Sequence, residues 1–166
     1  ASDTAPNNFE YPKSIIQEKY KIVFYNGHYQ NHLTLLPDSI TIMSNLEYHS
    51  DPVNKIMEPS SSPFDILNTA FMDSGICLKV ENNKEIHEPI LMMFINSGND
   101  RLMTAPRFHI NLGKSSSLEL FEHHVGYQIG NFSNTSIFIS LQENSFFKHT
   151  RLQMDSGCAI NTGNIH

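Results

Sequence analysis

The sequence predicts a mainly β protein: a parallel β-helix of stacked coils with a period of about 29 residues, preceded by a small mixed α/β segment. Three observations carry this. Beyond Gly75, short apolar runs alternate with turns rich in Asn, Gly and Ser. The runs repeat: Ile110, Leu112, Ser116 and Leu118 recur as Ile139, Leu141, Ser145 and Phe147, each 29 positions on. A looser copy lies upstream, where Leu78, Val80 and Ile86 precede Ile110, Leu112 and Leu118 by 32. Each unit reads as strand, polar turn, strand. One unit cannot bury its apolar side alone, but stacked on a copy it can, and its strands then pair in parallel with those of the next coil. The repeat favours this arrangement over an antiparallel sandwich of coincidental spacing.

The elements follow in order. Residues 1–20 read as a disordered lead and a short helix starting near Pro12. Lys21 to Tyr25 is strand-like, and Asn26-Gly27 between β-forming residues marks a hairpin whose type I′ turn needs positive φ twice. Pro37 to Ser39 is a turn, and Ile40 to Ile42 a short strand. Residues 51–62, with two prolines and three consecutive serines, read as a loop closing a 21–62 segment. A helix then begins with Ser62 as N-cap, Pro63 at N1 and Asp65 at N3 beside the positive dipole end. Its predicted apolar face is Phe64, Leu67, Ala70 and Phe71, and its predicted stop is Gly75. Strands are predicted at 76–80, 90–95, 108–112, 118–122, 137–141 and 147–152. Residues 63–166 thus form a helix followed by the coil stack. Adding 29 to Ile137 gives His166, so the stack is expected to be truncated at its C-terminal end and to seek a partner there, a second copy included.

Composition narrows the function classes. A net charge of −6 and the lack of any basic run argue against nucleic acid. No apolar stretch approaches the roughly 20 residues of a membrane span, and the polar start carries no hydrophobic signal core. A cytoplasmic location is expected. Cys77 and Cys158, the only cysteines, read as small buried residues rather than a disulfide framework. Asn131 and Asn134 match the glycosylation pattern but carry no weight without export.

Nine histidines invite a metal reading, with His109, His123, His124 and His149 the candidates for a small binding module. His123 and His124 are neighbours on a strand and point to opposite faces, and no His-x-His or Cys-x-x-Cys spacing supports a closed site. Glu119 and His109 flank them in the repeat as polar positions. Neither a Gly-x-Ser-x-Gly elbow nor a phosphate-cradling glycine loop occurs, so no catalytic, cofactor-binding or metal residue is assigned. A β-helix enzyme with paired carboxylates acting on carbohydrate stays open as an alternative. Met92-Met93 reads as core filler and Arg107 as a surface ion pair.

Several segments, in order, resemble the SufB/SufD family of iron–sulfur cluster assembly proteins, and its SufD-type members in particular. They are residues 22–29 before the Leu35-Leu36-Pro37 turn, 64–71, 75–80, 88–91, 105–112, 117–123, and 134–137 with Leu152-Gln153. The resemblance spans roughly residues 20–166. It implies a right-handed parallel β-helix and a scaffold subunit, not an enzyme, acting with a SufB-like subunit and a SufC-like ATPase. The iron–sulfur cluster would then belong to the complex rather than to this chain alone. The family's ATPase-docking helices and inter-subunit site lie farther towards the C-terminus, so none of their residues is carried over. SufB-type members have a cysteine near the strand end matching Glu122, His123 and His124. Histidines stand here, so no sulfur-handling residue is implied at that point.

Overall fold

The computed structural model describes residues 4–5, 19–50, 62–72, 74–97, 101–126, 130–155 and 159–166. The expected lead helix, most of the 51–62 loop and Cys158 lie outside them. The chain is mainly β, with parallel strands in two mixed sheets. No helix among the described residues is long and apolar enough to cross a membrane.

In chain order the strands are β1 (Tyr20–Tyr25), β2 (His28–Tyr29), β3 (Ile40–Ser44), β4 (Gly75–Val80), β5 (Ile90–Asn96), β6 (Met103–Thr104), β7 (Arg107–Leu112), β8 (Ser117–Gly126), β9 (Phe132–Leu141), β10 (Phe146–Asp155) and β11 (Ile160–Ile165). Among the described residues the helices are α1 (Asn45–Ser50) and α2 (Pro63–Phe71), with a 3-10 turn at Asn31–Leu33. One sheet runs β10-β8-β5-β1-β2 and the other β11-β9-β7-β4-β3. From β4 onward the chain passes back and forth between the sheets. Antiparallel pairs, β1 with β2 and β3 with β4, close one end of the stack.

The strand register reproduces the sequence repeat. Ile110 pairs with Ile139 and Leu118 with Phe147, both 29 apart, and Leu78 pairs with Ile110, 32 apart. The turns repeat too. Asn83, Ser115 and Asn144 have φ of 59°, 52° and 57°, and they sit 32 and 29 positions apart. Each turn is tied to the next by a backbone bond, Asn83 N–H to the Lys114 carbonyl (2.8 Å) and Ser115 N–H to that of Glu143 (3.0 Å). The left-handed conformation costs an ordinary L-residue about 1–2 kcal/mol, and Asn tolerates it best. The end of the stack departs from the simple extrapolation: Ile137 faces Ile165, 28 positions on, so a further strand, β11, starts at Ile160.

Alternate residues of each strand fill the space between the sheets. Ile22, Phe24, Ile90, Met92, Phe94, Leu118 and Leu120 from one sheet meet Ile76, Leu78, Val80, Phe108, Ile110, Leu112 and Ile137 from the other. The opposite face of the first sheet carries a second cluster of Val23, Tyr25, Leu91, Met93 and Ile95. The Asn26-Gly27 hairpin forms as expected, with φ of 50° and 86°.

Five expectations change. Helix α2 begins at Pro63 as predicted, but the Ser62 side chain does not cap it. Its buried residues are Asp65 and Asn68, while Phe64, Ile66 and Phe71 are exposed. The outer face of β7 and β9 beneath it is polar, so the helix docks by its polar side. Gly75 starts β4 instead of ending α2. A Cβ there would lie 1.8 Å from the Arg107 carbonyl oxygen, which only glycine avoids. Arg107 is buried, not a surface residue. Helix α1 was not expected, although its capping box is legible as Ser44-x-x-Glu47. The Glu47 carboxylate accepts from Ser44 N–H and Oγ (both 2.7 Å), and Ser44 Oγ accepts from Glu47 N–H (3.2 Å).

Candidate functional site

Towards its far end, the space between the sheets turns from apolar to charged. Along β8, Leu118 and Leu120 face inward, and by the same alternation so do Glu122 and His124. On the neighbouring β10 the register sets His149 beside Leu120 and Arg151 beside Glu122. Glu122 is fully buried. One carboxylate oxygen takes His124 Nε2, and the other takes His149 Nε2 at 2.8 Å. Arg151 Nε lies 3.6 Å away as a third partner. Phe94 stacks on the His124 ring with centroids 4.5 Å apart.

Burial alone would push the Glu122 carboxyl up. The hydrogen bonds from His124 and His149, with the charges of His124 and Arg151, outweigh it and bring the group down to about 2. A carboxylate held so far below neutrality is a poor proton carrier at pH 7. Its chemistry is that of a fixed anion organising cationic and hydrogen-bonding neighbours. His149 and Arg151 keep partial exposure, 13% and 27% of their side chains, so the cluster is reached from the β10 side.

A second polar cluster lies on the outer face of the other sheet, beneath α2. Arg107 Nε donates to Asn68 Oδ1 (3.0 Å) and its Nη2 to Thr69 Oγ1 (2.6 Å), with the guanidinium 5.3 Å from the Phe138 ring centroid. Burial lowers the Arg107 pKa, and Asp65 counters it. Asp65 accepts from Ser136 Oγ (3.1 Å), Asn164 Nδ2 (2.7 Å) and His166 Nε2 (3.1 Å).

Of the four candidate histidines, the structure brings two together, His124 and His149, both on Glu122. His109 lies elsewhere, in a ring stack between Tyr48 (4.4 Å) and Phe138 (5.2 Å). His123 is buried on the opposite face of β8, and burial followed by the nearby His124 lowers its pKa. Glu119 pairs outward with Lys148 at 2.8 Å. Among the described residues no three His, Cys, Asp or Glu side chains form a group able to hold a metal ion. Cys77 is buried, and that burial pushes its thiol up to about 11, far from a reactive thiolate. Glu122, named from the sequence only within the family resemblance, and Arg151 were not assigned as site residues there. The repeat contained the signal, since 122 + 29 = 151 places opposite charges in register on the inward face.

No protein-family model matches the chain, and no curated protein matches it in sequence.

Proposed function

We propose that the chain is a scaffold subunit of an iron–sulfur cluster assembly complex, built as a right-handed parallel β-helix and working with a SufB-like subunit and a SufC-like ATPase. It is not an enzyme by itself in this reading, and the cluster is held at the level of the complex. The location is cytoplasmic, and neither nucleic acid nor membrane is a partner.

The observation that carries the reading is the coincidence of two independent orders. The family-like segments fall on successive elements, from β1 and its hairpin through α2, β4, the start of β5, β7, β8 and β9 to β10. Of these strands, β4, β5, β7, β8, β9 and β10 stack in parallel at offsets of 29 to 32. Parallel strands joined through crossovers are right-handed in nearly all proteins, which supports the proposed hand. The fixed Glu122 anion, the buried Cys77 thiol and the ring-stacked His109 suit a framework better than a reaction centre. The test is co-purification of the protein with SufB-like and SufC-like proteins under anaerobic conditions. A stable ternary complex is expected, and failure to associate refutes the proposal.

A further inference from the structure

We propose that α2 is a detachable strap: it lifts from the sheet while both sheets stay folded, and in lifting it uncovers a nest of hydrogen-bond donors that Asp65 now fills. A helix on a sheet ordinarily docks through an apolar stripe. Here Phe64, Ile66 and Phe71 are 44%, 54% and 56% exposed, and of the apolar side chains of α2 only Leu67 is half-buried. Neither apolar cluster includes a residue of α2.

What holds the helix is chiefly polar. Asn68 Nδ2 donates to the Pro106 and Asn134 carbonyls (3.2 and 2.8 Å), and Asn134 Nδ2 donates to the Phe64 carbonyl (2.7 Å). Arg107 donates to Asn68 and Thr69, and Asp65 receives Ser136, Asn164 and His166. The strap thus crosses β7, β9 and β11 with half-buried Leu67 as its one partly covered apolar side chain and no residue in either apolar cluster. Hydrogen bonds exchange with water at little net cost, whereas buried apolar surface does not. Segments with few buried apolar contacts open first. Nine residues are too few to stay helical alone, so the lifted strap unravels. It leaves Ser136 Oγ, Asn164 Nδ2 and His166 Nε2, the donors Asp65 now fills, facing solvent beside the Arg107 guanidinium that Asn68 and Thr69 now hold, a set of donors suited to a carboxylate. Asp65 is therefore an internal occupant that keeps the nest closed.

Amide hydrogen exchange of the full chain at neutral pH, read by mass spectrometry, tests this. In the unmodified protein, amides of 66–71 should exchange at least roughly tenfold faster than those of β4, β5 and β7. Asp65→Asn should speed α2 by a further factor of roughly five to ten and leave those strands unchanged. Thr69→Val, which removes one contact to Arg107, should do the same to a smaller degree and serves if Asp65→Asn fails to fold. Exchange of α2 in step with the strands, or equal acceleration of helix and strands in the variants, overturns the proposal.

Discussion

Replacing Glu122 by Gln removes the charge around which His124, His149 and Arg151 are arranged and keeps the shape of the side chain. The cost can be worked from the carboxyl itself. It falls from an ordinary 4.5 to about 2 on folding. Each unit is worth about 1.4 kcal/mol, so the ionised form contributes about 3 kcal/mol at neutral pH. Because the folded value is the lower one, this contribution is complete above about pH 5 and is lost as pH falls through 2. Glu122→Gln should therefore cost about 3 kcal/mol at pH 7. The gap to the parent should shrink to roughly half near pH 3 and nearly close at pH 2. Urea unfolding of both proteins across that range is the assay, since titrations of groups remote from the Glu122 cluster cancel in the difference. A gap under about 1 kcal/mol at pH 7, the value of an ordinary hydrogen bond, or a gap that does not narrow with acid, would refute the reasoning.

Three further outcomes are expected. Gly75→Ala puts a methyl 1.8 Å from the Arg107 carbonyl oxygen, so thermal melting should show a loss of several kcal/mol, about the range reserved for backbone clashes. Ile110→Ala, at a site 0% exposed, should cost about 2–5 kcal/mol, whereas Ile160→Ala, at a site 60% exposed, should stay within about 1, as paired urea titrations would show. Ser115→Asn places the residue type of Asn83 and Asn144 at the equivalent left-handed turn, and calorimetry should find it stabilising by about 0.5–1 kcal/mol.

Much of the fold was legible because its repeat is written in apolar residues. The offsets between Ile110 and Ile139, and between Leu118 and Phe147, are the ladder register itself. Burial between two sheets selects inward-facing positions, and copies of the repeat select the same ones. Short polar elements were less legible. Strand β6 has two residues and no period to detect, and β11 (Ile-Asn-Thr-Gly-Asn-Ile) is interrupted by two Asn and a Gly, residue types depleted in strands. The face of α2 was inverted because helical periodicity reports which residues share a side, not which side the neighbour prefers. Arg107, Asn134 and Ser136 made the polar side the better match. The Glu122 cluster lay in view as a charge pair at the repeat distance. Histidine spacing drew attention to ion ligation, while the register joined His124 and His149 through a carboxylate between them.

The stacked parallel register underlies both the fold and the functional proposal, and nuclear Overhauser contacts between backbone protons test it most directly. The account predicts contacts at the repeat distance, Ile110 to Ile139 and Leu118 to Phe147, with Leu78 to Ile110 at the longer offset. Antiparallel contacts between strands adjacent in sequence, β7 with β8 or β9 with β10, would contradict it.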